Sequence, residues 1–271
     1  RARKAPQRIA YADGEDEKVL RAVQIVLDDA LAKPILIGRR YVVEKRIEKL
    51  GLRFKLDEDV ELVDPQGDPR YRDYWTEYHS IMGRRGISPD AARTIVRTRA
   101  SVIGALMVRL NDADATICGA AGRYERQFKN VRDVIGLREG VRCAYAVQLL
   151  ILPTGTVFIA DTNVNYDPTA EQVAEAAMLA AEAVAQFGLK PKVALVSHSN
   201  FGSSNSDSAH KMRTALSIIK ERAPTLEVEG EMNANEALSE AARERVFPDS
   251  ELTGAANLLI MPSLDAANIA F

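Results

Sequence analysis

Cysteine and histidine are scarce in this chain, and neither is spaced to hold a metal. The two cysteines, Cys118 and Cys143, each sit in an apolar run. That predicts buried thiols in a reducing compartment rather than a disulfide framework or a zinc site. The three histidines, His79, His198 and His210, form no His-Glu-x-x-His pair. An excess of one charge sign is also missing. The formal net charge is −2, which leaves no electrostatic footprint for nucleic acid or an anionic membrane. Long apolar runs are absent: windows such as 144–151 are too short to span a bilayer. No secretory signal pattern opens the chain, so a soluble cytoplasmic protein is expected. Neither a Gly-x-Ser-x-Gly nucleophile elbow nor a Walker A lysine occurs. The Gly-Ala-Ala-Gly at 119–122 is not a Gly-x-Gly-x-x-Gly dinucleotide fingerprint.

What is present is a regular alternation of short apolar runs and amphipathic segments. Candidate strands lie at 9–12, 35–37, 61–63, 115–118, 144–152, 157–159, 193–196 and 258–261. Helical patterns occupy 17–31, 42–50, 70–82 and 169–187, and another begins near Ser206. Gly51 and Gly188 stand just past two of them, where a helix C-terminus favours glycine. This alternation predicts an α/β fold with mostly parallel sheets and helices on both faces. One interruption is visible: residues 144–159 read as two strands joined by a tight turn at Pro153, Thr154 and Gly155. A chain of 271 residues, 46% hydrophobic, supports two domains of ordinary size. They are expected at 1–140 and 141–271. The opening Arg1 and the amphipathic start at 265–271 suggest a piece of a longer polypeptide.

Ligands of parallel α/β sheets sit beyond the carboxyl ends of the strands. The most informative such position is 197–204, where Ser197, Ser199, Asn200, Gly202, Ser203 and Ser204 lie between an apolar strand and a helix. Small residues there can present hydroxyls and backbone N–H groups to a phosphate. The same composition also suits a plain polar turn. Glu229 and Glu231 flank Gly230 and read either as a general base or, more simply, as a turn. His198, in the same loop, is a candidate ligand contact. These residues alone do not name a reaction.

Read together and in order, several stretches resemble the phosphate acetyltransferase (phosphotransacetylase) family along the whole chain. They are residues 11–20, 33–38, 112–120 (Asp-Ala-Asp-Ala-Thr-Ile-Cys-Gly-Ala), 159–165 (Ile-Ala-Asp-Thr-Asn-Val-Asn), 228–233 and 253–262, leading into Asn268 and Ile269. Residues 68–78 and 197–203 are most similar to the phosphotransacetylase-like domain of bacterial hybrid NADP-dependent malic enzymes. The resemblance implies two doubly wound domains of the isocitrate/isopropylmalate dehydrogenase type, with a cleft between them. The implied walls of that cleft are Lys129, Asp161, Asn163, Ser197, Ser199, Asn200, Phe201, Gly202, Ser203, Ser204 and Glu231.

Departures from the family pattern bear on activity. Active phosphotransacetylases carry Thr-Lys-Gly-Ser where this chain has Asn200, Phe201, Gly202 and Ser203. They carry a catalytic arginine where Lys129 stands, and a lysine lacks arginine's bidentate fork. Their Ser-Arg pair and nearby Asp have no counterpart within these residues, so no catalytic residue is assigned. The resemblance therefore implies a regulatory and oligomerisation domain that takes acetyl-CoA as an allosteric effector, with no cofactor of its own. NADP and a divalent metal would belong to a malic enzyme part of the same polypeptide. A homo-oligomer, dimeric through residues 141–271, is also implied. The alternatives are an active acetyltransferase and a purely structural module. The alanine face of residues 170–185 suits either a helix of the partner or the domain's own sheet.

Overall fold

The computed structural model describes residues 2–153 and 155–271; Thr154, placed above in the turn of the hairpin, lies outside them. The chain divides into two compact units, Arg1–Leu137 and Arg138–Phe271. The division falls three residues before the expected boundary.

In the first unit the elements run β1 (Gln7–Tyr11), α1 (Glu17–Asp28), β2 (Ala32–Ile37), α2 (Arg40–Leu50), β3 (Glu61–Val63), α3 (Tyr71–Met82), α4 (Pro89–Thr98), α5 (Ala100–Arg109), β4 (Ala115–Ile117) and α6 (Tyr124–Ile135). All strand pairs are parallel, in the order β3-β2-β1-β4. The order reverses direction between β1 and β4, so the switch point of this sheet lies between them. One layer of core gathers Leu20, Val23, Leu36 and Val43 beside α1 and α2. The other gathers Ile37, Tyr74, Val96, Ile103 and Leu106 beside α3, α4 and α5. Local sequence fixes the helix ends. Asp16 accepts from the N–H groups of Lys18 and Val19 at the start of α1, and Gly51 closes α2 in the left-handed region at φ 63°.

The second unit runs β5 (Val147–Leu152), β6 (Gly155–Ala160), α7 (Ala170–Gln186), β7 (Lys192–Val196), α8 (Asp207–Arg222), β8 (Glu227–Met232), α9 (Ala234–Leu238), α10 (Glu240–Val246), β9 (Leu258–Ile260) and α11 (Leu264–Ala270). Its sheet order is β5-β6-β9-β7-β8. Only β5 is antiparallel among these pairs, as the hairpin reading anticipates. Thr169 and Gln172 form a reciprocal capping box at the start of α7. Of the alanine face, Ala174, Ala177 and Ala181 pack against Phe158, Val193 and Leu258 of their own unit. That face is therefore spent on the sheet beneath it.

Three expectations need correction. Glu229-Gly230-Glu231 is not a turn; it lies inside strand β8. No apolar run marks this strand, whose three acids are each held by their own partners. Glu227 meets Lys190 and Thr253, while Glu229 accepts the N–H of Gly230 and of Glu251. The first residues of the expected strand at 144–152 are not paired. The N–H groups of Arg142 and Cys143 and the hydroxyl of Tyr145 donate to Glu175 on α7, which draws this segment off the sheet. The two cysteines are half-buried rather than buried. Burial, together with nearby Asp13, raises the Cys118 thiol above its ordinary pKa.

Gly104 shows how closely α5 lies on the first sheet. A Cβ there would come within 2.3 Å of Thr116 Oγ1, which donates to the carbonyl of Ala10. Alanine in a helix gains up to about 1 kcal/mol over glycine. Overpacking of this kind costs roughly 1–3 kcal/mol. Gly104→Ala is therefore expected to lower the denaturation midpoint of the first unit; a raised midpoint in urea would show that the contact relaxes freely.

Candidate functional site

The loop after β7 is built around a buried acid. Glu231 is fully buried. Its Oε1 accepts from Ser199 Oγ at 2.6 Å, from the Gly202 N–H at 3.0 Å and from Arg213 on α8 at 2.8 Å. Its carbonyl accepts from the Phe201 N–H at 2.8 Å. Burial pushes the Glu231 carboxyl upward, but the donors from Ser199 and Gly202 and the charge of Arg213 outweigh it, and the net shift is downward. Its second oxygen, Oε2, has no partner among the described residues.

The rest of the loop closes on itself. The N–H of Ser199 donates to Ser197 Oγ, that of Asn200 to Ser203 Oγ, and that of Ser204 to Ser199 Oγ. The Ser203 N–H donates to the Asn200 carbonyl. Asn200 Oδ1 accepts from the Asn233 N–H at 2.7 Å. Phe201, at φ 47°, stacks on Phe247 with ring centroids 4.5 Å apart. The backbone N–H groups from Ser199 to Ser204 thus all have acceptors. This corrects the expectation of free amides: they are taken by serine hydroxyls, by the Asn200 and Glu231 carbonyls and, from Gly202, by the Glu231 carboxylate. What the loop leaves exposed is His198, Gly202 and Ser203.

Asp161 organises a second loop, after β6. It accepts from the N–H groups of Ala146, Asn163, Val164 and Asn165. Asn163 Oδ1 accepts from Thr162 Oγ1 at 2.8 Å. No hydrogen bond among the described residues joins this group to the 197–204 loop. A cavity of about 390 Å³ in the same unit is lined by other residues, among them Thr169, Asp207, Lys211 and Ser263.

Lys129 belongs to the first unit, where it is exposed and forms an ion pair with Asp133 one turn along α6. Two cavities at the carboxyl edge of that unit's sheet are lined by strand-end residues and not by Lys129 or any other residue of the implied cleft wall. One, of about 380 Å³, is lined by Asp13, Glu15, Arg39, Arg46 and Arg97 among others. The other, of about 490 Å³, is lined by Asp13, Arg99, Ser101, Arg123, Arg126 and Gln127 among others. Two of the flanking groups are already engaged. Asp13 Oδ2 accepts from the N–H groups of Gly119 and Ala120 at 2.8 and 3.0 Å. Glu15 forms a two-pronged pair with Arg39, whose hydrogen bonds hold the Glu15 carboxyl below its ordinary range. The sequence reading passed over Arg99, Arg123 and Arg126; the available signal was the spacing of Arg123 and Arg126, three residues apart at the start of a helix. Among the described residues no group of His, Cys, Asp and Glu is arranged to hold a metal ion, and no helix is long and apolar enough to cross a membrane.

The architecture is thus that of a two-unit α/β protein with a polar loop and an arginine-lined crevice at strand ends. The model of the phosphate acetyl/butaryl transferase family matches residues 1–271, and the chain belongs to that family. It is 54% identical over 98% of its length to an NAD-dependent malic enzyme of Rhizobium meliloti, of which it covers 34%. It is 50% identical over its whole length to the NADP-dependent malic enzyme of Escherichia coli, of which it covers 36%. The chain thus spans about a third of these relatives and corresponds to their phosphotransacetylase-like part. A phosphotransacetylase from Streptococcus pyogenes superposes with a TM-score of 0.89 at 26% identity, covering 98% of this chain and 80% of that one.

Glu231→Gln tests the loop anchor. Hydrogen bonds to a charged group contribute about 1.5–3 kcal/mol, and a loss of that order at neutral pH is expected. The folded-state pKa of Glu231 is depressed, so its contribution is complete above the unfolded value and fades as pH falls through the folded one. Urea melts across a pH series should show the wild-type advantage shrinking in acid. Equal midpoints at pH 7 would contradict the assignment.

Proposed function

We propose that this chain is the regulatory and oligomerisation unit of a malic enzyme and binds acetyl-CoA as its allosteric effector. Oxidative decarboxylation of malate, with NAD or NADP and a divalent metal, would belong to the remainder of the polypeptide. The observation that carries this reading is the 54% and 50% identity to malic enzymes of which the chain covers about a third. Two features of the site support it. Lys129, in place of the family's arginine, is paired with Asp133, and Glu231 is consumed in holding the loop. A site can keep affinity for a substrate after losing groups needed only in the transition state. An effector that favours one conformation shifts the equilibrium toward it, and the coupling is reciprocal.

A second reading, an active phosphate acetyltransferase making acetyl phosphate and CoA, draws on the likeness to the S. pyogenes phosphotransacetylase. Malate decarboxylation by the full-length protein, followed with and without acetyl-CoA, separates the two. The regulatory reading expects a saturable change in rate and no acetyl phosphate. Ser203→Leu, at an exposed loop position, should raise the acetyl-CoA concentration for half-maximal response at least several-fold. A rate indifferent to acetyl-CoA contradicts the reading, and acetyl phosphate formation favours the second.

The proposal includes a homodimer or larger assembly through the second unit. Its β5 edge carries Ile151 at 82% and Leu152 at 43% exposure, and an apolar strand edge favours pairing with another copy. Light scattering at micromolar concentration should show at least a dimer; a monomer alone would refute this part.

A further inference from the structure

The chain passes from one unit to the other at Leu137 and Arg138. Residues 135–140 are all exposed, and among the described residues no N–H group from Leu137 to Gly140 meets an acceptor. Gly136 and Gly140 stand at positive φ, 81° and 79°, which glycine adopts at little cost. The ion pair of Arg138 with Glu182 is exposed on both sides and so contributes little.

Beyond this stretch the chain is tethered residue by residue. The N–H groups of Arg142 and Cys143 donate to the Glu175 carboxylate at 3.2 and 3.3 Å, and the Tyr145 hydroxyl donates to it at 2.8 Å. Gln172 Nε2 lies 3.1 Å from Cys143 Sγ. The Ala144 carbonyl accepts from Asn165 Nδ2, and the Ala146 N–H donates to Asp161. Every one of these partners is a polar side chain of α7 or of the loop after β6. The chain joins the apolar core of its unit at Val147.

A segment fixed by polar bonds, with little apolar burial, opens at lower free energy than the fold on which it lies. Glu175 binds three of the five residues from Arg142 to Ala146, so its loss frees them together. Helix α7 itself stays in place, because Ala174, Ala177 and Ala181 are packed in the core.

We propose that residues 142–146 are a releasable strap latched by Glu175, and that the latch sets the free length of the connection between the two units. With the strap bound, the free chain is 136–141 and reaches at most about 20 Å; with it released, the free chain is 136–146 and reaches at most about 40 Å. Hinge motions concentrate their φ/ψ changes in a few such loop residues. The proposal depends on neither reading of the bound ligand.

Cys143 lies inside the strap and reports its release, while Cys118, half-buried in the first unit, is an internal control. The full-length protein, as wild type, Glu175→Ala and Tyr145→Phe, is labelled with N-ethylmaleimide under native conditions, and both cysteines are followed by peptide mass spectrometry. Cys143 is expected to label roughly tenfold faster or more in Glu175→Ala, as the loss of hydrogen bonds to a charged group requires. Tyr145→Phe should show a smaller acceleration, and Cys118 should label at an unchanged rate in both. In the wild type the Cys143 rate should rise only weakly with urea below the unfolding transition, because release of a strap exposes little surface. Equal Cys143 rates in wild type and Glu175→Ala overturn the proposal, and so does a urea slope equal to that of global unfolding. If melting curves show that Glu175→Ala has lost its fold, Tyr145→Phe decides: no acceleration at Cys143 there contradicts the latch.

Discussion

A carboxylate with no exposure to water sets the shape of the loop at the strand ends of the second unit. Burying a charge is costly unless it is paired and hydrogen-bonded. Glu231 meets that requirement by gathering Ser199, Gly202 and Arg213 onto one oxygen. The consequence is a loop whose path is dictated from within. Ser199 cannot turn outward without abandoning the acid, Phe201 is placed against Phe247, and Ser203 is left at the surface. The acid sits on an edge strand beside β7, so the loop and the sheet are tied at the strand ends where ligands of α/β folds bind.

Much of the fold was legible because hydrophobic periodicity and helix-end chemistry agree here. Strand β3 was expected with its observed limits, and Thr169, Ser206 and Gly51 mark helix ends that the structure uses. Strand β8 was not legible, since Glu227, Glu229, Gly230 and Glu231 look like turn residues. Their place in the sheet depends on partners distant in sequence, such as Ser199 and Thr253. The site was legible only in outline. Composition singled out the 197–204 loop, and the family resemblance pointed to Asp161 and Asn163 after β6. Neither could tell that the loop amides are satisfied internally. The clustering of Arg99 with Arg123 and Arg126 depends on how α5 and α6 pack, which no local pattern encodes.

Under the proposed regulatory reading, an enzyme-family fold binds a ligand without turning it over. Transition-state stabilisation needs particular groups at ångström precision, whereas retention of a ligand needs shape and charge. In this chain Lys129, which the family resemblance sets at the position of a catalytic arginine, is paired with Asp133, while Arg99, Arg123 and Arg126 line a cavity of the same unit. On the proposed reading, an anionic molecule is held rather than turned over, and its binding energy goes into a shift of conformation.

The central claim is best tested by titrating acetyl-CoA into the full-length protein by calorimetry, alongside its thermal unfolding. The account predicts a saturating heat and a rise in melting temperature that grows with ligand concentration, as mass action requires. No heat and no stabilisation at millimolar acetyl-CoA would contradict it.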